Sequence, residues 1–265
     1  MSLNADLRKR IAWMTWHSRE GHIPSGLSIV DILDILYGEF LNITPENTAD
    51  ENRDFFILSK GHGSPALWAV LEKYGFITEK DINQKNEFKG ILATHPDRNK
   101  VPGVEASTGS LGNGIGMALG VALGLRTDSL SNKVFALVGD AECNEGTVWE
   151  SFLLGGVLKL GNLCVIVDYN HSADPTVPMG DLVSKVTSFD WNVVEIDGHS
   201  PTEIRRALQE FNDKANGGKP LCIIANTIKG KGSRSMEANF GHWHSKVPTR
   251  DELLMIYEEI DETKQ

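Results

Sequence analysis

Residues 133–176, KVFALVGDAECNEGTVWESFLLGGVLKLGNLCVIVDYNHSADPT, constrain the fold more than any other part of the chain. The first run, 133–138, is apolar, aromatic and β-branched, and it stops at Gly139-Asp140-Ala141 as a buried strand stops at a turn. A second run, 163–167, stops at Asp168-Tyr169-Asn170. Between them, residues 147–160 set Val148, Phe152 and Leu153 on one helical face. A strand, helix, strand unit returns its second strand parallel to the first. Asp140 and Asn170 therefore emerge side by side at the carboxyl edge of the sheet, where open α/β sheets bind ligands.

The same alternation continues along the chain. Strands are expected at 55–58, 191–196 and 221–227, and helices at 5–18, 29–40, 66–74, 79–88, from 115 onward, and at 181–188, 201–215 and 249–260. Ser28 is the expected cap of the second helix, with Asp31 in its first turn. The fold class is α/β: a mainly parallel sheet with helices on both faces. With 265 residues, 40% of them hydrophobic, one domain over 1–265 can bury a substantial core. A net charge of −10 and a pI near 5.3 argue against a nucleic-acid surface. Cys143, Cys164 and Cys222 form no metal-spaced cluster, and an odd, scattered set suggests reduced thiols and a cytoplasmic location. No run approaches the ~20 apolar residues of a membrane span, and no signal peptide is recognisable.

One carboxylate beside one amide oxygen suits Mg²⁺, a hard cation that takes a few oxygens from protein and the rest from phosphates and water. The amides of Asp140-Ala141-Glu142 are placed to approach a phosphate oxygen. The alternative is an ordinary crossover whose polar residues merely end strands. His22 sits in a Gly-His-Ile-Pro-Ser-Gly turn, and His62 between two glycines after the 55–58 strand. Each reads either as a placed functional imidazole or as an incidental turn residue. Residues 90–114 form a long loop holding His95, and loops of that length are often functional. Gly112, Gly114 and Gly116 lack the third glycine and preceding strand of a dinucleotide fingerprint, and Lys229-Gly230-Lys231-Gly232-Ser233 lacks the upstream glycine of a P-loop.

Taken in order, these segments resemble the transketolase family over almost the whole chain. Gly139-Asp140-Ala141 with Asn170 resembles the GDG…N signature of thiamine diphosphate enzymes, and EGTVWE, LKLGNL, SKGHGSPALWAVL, HPD…PGVEASTGSLG and TIKGKG…MEANFGHWHSK are similar to transketolase segments. The resemblance implies thiamine diphosphate with Mg²⁺ or another divalent cation held by Asp140, Asn170 and a carbonyl at Ser172. It implies cofactor contacts from His62, Gly109, Ser110, Leu111, Gly139, Asp140, Ala141, Glu142 and Asn170. It marks His22, His62, His95 and His244 for proton transfer, histidine being suited to it near neutrality, and sets Glu145 in a carboxylate network across a subunit interface. His242 is an additional, unassigned histidine.

The implied reaction moves a two-carbon ketol unit from a ketose (phosphate) to an aldose (phosphate). The pyrimidine-binding and C-terminal domains of the family have no counterpart here. The chain thus resembles the N-terminal subunit of a split transketolase, whose partner is a C-terminal transketolase subunit, with two copies of each expected. Ala141 replaces the usual glycine, the His22 segment is one residue longer, and residues 172–175 differ from the family stretch. The alternative readings are a 2-oxo-acid dehydrogenase α-like subunit, a sugar-phosphate synthase and a non-catalytic cofactor-binding subunit.

Overall fold

The computed structural model describes residues 4–215 and 218–263; the other residues of the expected 1–265 domain lie outside the described ones. The strands β1 (Phe55–Leu58), β2 (Val134–Gly139), β3 (Leu163–Tyr169), β4 (Asn192–Asp197) and β5 (Leu221–Asn226) form one all-parallel sheet in the order β1-β2-β3-β5-β4. Helices α1 (Ala5–His17), α2 (Ile23–Leu27) and α3 (Val30–Ile35) precede β1. Then α4 (Ser64–Lys73), α5 (Glu79–Asn83) and α6 (Asn113–Thr127) lie between β1 and β2. Single helices follow β2, β3 and β4: α7 (Gly146–Val157), α8 (Leu182–Thr187) and α9 (Pro201–Lys214). After β5 come α10 (Arg234–Ala238), α11 (Phe240–Trp243) and α12 (Arg250–Glu262).

Successive side chains of a strand point to opposite faces, and here both faces are covered. Phe135 and Leu137 of β2 join one core with α1, α3, α4, α9 and α12, whereas Val134, Ala136 and Val138 join another with α6, α7 and α8. That double burial explains why the strands read as continuous apolar runs. The register pairs Gly139 with Asp168, so the residues just beyond β2 and β3 leave the sheet side by side, as the strand, helix, strand reading requires. Among the described residues, no helix is long and apolar enough to cross a membrane.

Several expected boundaries move, each for a local reason. Strand β3 runs through Asp168 to Tyr169, because Asp168 can enter the buried ladder once Lys60 supplies the opposite charge at 2.5 Å. Ser28 caps no helix; its hydroxyl donates to Asp168 Oδ2 at 2.9 Å. The expected 29–40 helix divides into α3 and a π-helical turn, Leu36–Phe40, preceded by the separate α2. The expected 79–88 helix is confined to α5, capped reciprocally by Thr78 and Asp81, and is followed by Asn86 and Lys89 at positive φ. Helix α6 begins at Asn113, where Gly112 at φ 84° turns the chain into it.

Asp31 does more than face a helix dipole. Its oxygens accept from Arg8 Nη1 at 2.9 Å and Nη2 at 2.6 Å, and Oδ2 also meets His199 Nδ1 at 3.0 Å. Arg8 is wholly buried. Burial alone would raise the Asp31 pKa, but hydrogen bonds from Arg8 and His199 outweigh it and hold the carboxyl at about 2. Removing one partner of a buried pair leaves the other uncompensated, so Asp31→Ala should cost about 3–5 kcal/mol in urea unfolding. Because the folded pKa is depressed, this stabilisation is complete above the ordinary value of 3.8 and is lost as pH falls through about 2. The difference between wild type and variant should therefore hold from neutrality to pH values above 3.8 and shrink below it; a difference that did not shrink would contradict the pairing.

Candidate active site

Four strands deliver residues to one hollow at the carboxyl edge of the sheet. The end of β1 supplies Lys60 and, through the turn Gly61–Gly63, His62; β2 supplies Asp140 and Ala141; β3 supplies Asn170 and Ser172; and β5 supplies Lys229. With His22 before α2, Gly109 and Leu111 before α6, and His244 after α11, they line a cavity of about 330 Å³. Gly139 and Glu142 also reach it.

Asp140 and Asn170 are buried at adjacent strand ends, and Ser172 bridges them. The Ser172 hydroxyl donates to Asp140 Oδ1 at 2.9 Å, and its backbone N–H donates to Asn170 Oδ1 at 3.2 Å. Asn170 Nδ2 donates to Asp168 Oδ2 at 2.7 Å, so Asp168 fixes which end of the amide carries the available oxygen. The Ala141 N–H, expected to reach a phosphate, is bonded to Asp140 Oδ1 at 2.7 Å, and the Ala173 N–H donates to Oδ2 at 3.2 Å. The Glu142 side chain is a strut: it accepts from Ser59 Oγ and from the N–H groups of Gly112 at 2.9 Å and Gly139 at 3.0 Å. Burial pushes its pKa up against those hydrogen bonds.

The cavity is cationic. Lys60, 1% exposed, pairs with Asp168. Lys229 is 7% exposed, and burial followed by the charge of Lys60 pulls its pKa down to about 8. His22, His62 and His244 form a triangle with ring centroids 5.1 to 6.3 Å apart. Burial, with Lys60 and Lys229 adding to it, lowers the pKa of all three, that of His62 to about 2. Imidazoles in this setting are neutral at physiological pH. The backbone reinforces the grouping, since the His22 N–H donates to the His244 carbonyl at 2.9 Å and His22 sits at φ 71°.

Three expected residues lie outside the lining. His95 is exposed and stands at the rim, so close to Gly109 that a Cβ there would come within 2.9 Å of the ring. Ser110 is exposed. Glu145, also exposed, begins α7 and abuts Gly112. His242 meets Lys246 at 3.2 Å instead of the cavity. Residue-by-residue reading missed Lys60, Lys229 and Asp168. The signal for Lys60 was its place between a strand end and His62; for Asp168 it was an acid beside Asn170.

The transketolase thiamine diphosphate binding domain family matches residues 12–253. The chain belongs to the transketolase family. One of the two apulose-4-phosphate transketolase subunits of Phocaeicola vulgatus is 34% identical over 260 residues, covering 96% of this chain and 91% of that protein. A 6-deoxy-6-sulfo-D-fructose transketolase subunit from Clostridium sp. is 36% identical over 86% of this chain and 84% of its own. Transketolase from Campylobacter jejuni superposes with a TM-score of 0.88 at 26% identity, over 98% of this chain but 42% of that one. The chain thus spans less than half the length of that solved transketolase.

The residues present fit thiamine diphosphate with a divalent cation. The donor set of Asp140 and Asn170 is hard oxygen, which suits Mg²⁺, and the two neighbouring ammonium groups suit a diphosphate. Ser25, buried beside them with its carbonyl on Lys60, has a hydroxyl without a hydrogen-bond partner among the described residues. No group of three His, Cys, Asp or Glu gathers among the described residues, so such a cation would draw on amide, carbonyl and phosphate oxygens. The cationic surroundings predict that, in the free chain, the His62 ring does not titrate near the ordinary value of 6.5. Its NMR shifts should be flat through that region, and a midpoint at 6.5 would contradict the geometry.

Proposed function

We propose that this chain is one diphosphate-binding domain over residues 1–265 and serves as the N-terminal subunit of a split transketolase. The observation that carries the reading is the pairing of Asp140 and Asn170 oxygens, bridged by Ser172, in a cavity that also holds Lys60 and Lys229. Asp140, Asn170 and the carbonyl of Ser172 would hold Mg²⁺, while Lys60 and Lys229 balance the diphosphate charge. Gly109, Ser110, Leu111 and Gly139 would allow close backbone approach. Thiamine diphosphate supplies a carbanion and an electron sink when bound. Neutral His22, His62 and His244, with His95 at the rim, would exchange protons with substrate hydroxyls during two-carbon ketol transfer between a ketose phosphate and an aldose phosphate.

The relatives named as transketolase subunits support a partner chain and favour this reading over that of a dehydrogenase component. That partner would carry the pyrimidine-binding part, with Glu145 facing it and two copies of each chain in a cytoplasmic assembly.

Calorimetry of the reconstituted complex tests the metal site. Asp140→Ala removes the charged ligand, and Mg²⁺-dependent thiamine diphosphate affinity should fall by roughly 10- to 100-fold. Unchanged affinity would sink the assignment. In a ketose-to-aldose assay, the chain on its own should be inactive with both cofactors saturating, and the partner subunit should restore transfer. Full activity from this chain in isolation would overturn the split reading.

A further inference from the structure

Lys229 enters the cavity on a loop that its own surroundings do not favour. The neighbouring Lys60 repels it, and Ile228, the preceding residue, is 41% exposed and so supplies little apolar anchor. Hydrogen bonds must hold the loop instead. The Thr227 hydroxyl donates to Asp168, the Gly230 N–H donates to the Pro24 carbonyl at 3.1 Å, and Arg8 Nε donates to the Lys231 carbonyl at 3.0 Å. The bond at the residue adjoining Lys229 is made by His199, which follows β4: the Ile228 N–H lies 2.9 Å from His199 Nε2.

A backbone N–H can only donate, so Nε2 accepts and carries no proton. The ring proton is therefore on Nδ1, which donates to Asp31 Oδ2 at 3.0 Å. Asp31 is gripped in turn by the buried fork of Arg8. Turning the ring over would set carbon atoms against both partners, so orientation and tautomer are fixed together. The fifth strand end is thus joined to the site through a backbone amide, without reaching the cavity.

We propose that His199 is a positioning residue: locked as the Nδ1–H tautomer by the Arg8–Asp31 pair, its imidazole holds Ile228 and keeps the Lys229 ammonium inside the cavity. The inference rests on the proposed function only for the identity of the anion that Lys229 meets.

Three substitutions separate positioning from simple packing. His199→Asn keeps a donor for Asp31 and loses the acceptor for Ile228; His199→Gln keeps an acceptor where Nε2 stood; His199→Phe keeps a ring with neither. The full chain is treated with limiting acetic anhydride, and acetylation of each lysine is read by mass spectrometry with Lys60 as internal reference. In the Asn and Phe variants Lys229 should react roughly three- to tenfold faster, the factor expected for one lost hydrogen bond, with Lys60 unchanged. The Gln variant should stay within roughly twofold of wild type. Asn and Gln variants that both label Lys229 at the wild-type rate would overturn the proposal, as would Lys229 and Lys60 gaining reactivity together. Affinity for inorganic pyrophosphate, measured on the same variants, should fall in parallel with faster labelling. Faster labelling with unchanged pyrophosphate affinity would uphold the positioning role and count against Lys229 as the diphosphate partner.

Discussion

The buried carboxylate of Asp168 is the contact on which the site depends. It lies inside the last turn of β3 and accepts from Lys60 after β1, Ser28 before α3, Thr227 after β5 and Asn170 after β3 itself. Burial would raise its pKa, but the charge of Lys60 and these hydrogen bonds hold it below the usual carboxylate range. A carboxylate is stable in such a place only when its lone pairs are satisfied, and each satisfying group brings a chain segment to the cavity. The same contact aims the Asn170 oxygen, seats the Lys60 ammonium and starts the Lys229 loop.

The rest of the arrangement follows from charge. Two ammonium groups and three imidazoles crowd a cavity whose only close acids among the described residues are already hydrogen-bonded, which lowers the pKa of Lys229 and of every one of the imidazoles. Such a site is electrostatically incomplete as it stands. A polyanion relieves the repulsion, and one that bridges to a cation at Asp140 and Asn170 does so at both ends of the hollow. This conflict is why the surrounding framework is so heavily buttressed, by the Glu142 strut on one side and by Arg8 and Asp31 on the other.

Much of this was legible in the sequence where periodicity or a strand end carried it. The runs around 134–139 and 163–169, the parallel sheet, and the side-by-side exit of Asp140 and Asn170 all follow from apolar runs broken at turns. The histidines were visible because glycines flank them or because their segments resemble a family. Lys60, Asp168 and Lys229 were not, since a charge at a strand end or in a Gly-rich loop reads as solvated unless its partner is known, and these partners lie far apart in the chain. Ser28 failed for the same reason: a serine before an apolar run has the look of a helix cap, and its bond to Asp168 spans the molecule. Helix ends near 88 and 40 were misplaced because positive-φ residues and a π-helical turn leave no compositional mark.

The central claim is that the Asp140 and Asn170 oxygens and the lysines of the same cavity form one diphosphate site. Mn²⁺ substituted for Mg²⁺ tests it directly, because hyperfine coupling to ³¹P reports phosphate oxygens bound to the metal. With thiamine diphosphate and the partner subunit present, the account predicts strong ³¹P coupling that is lost in Asp140→Ala and weakened in Lys229→Ala. Mn²⁺ bound without ³¹P coupling, or coupling that persists unchanged without the Asp140 carboxylate, would contradict it.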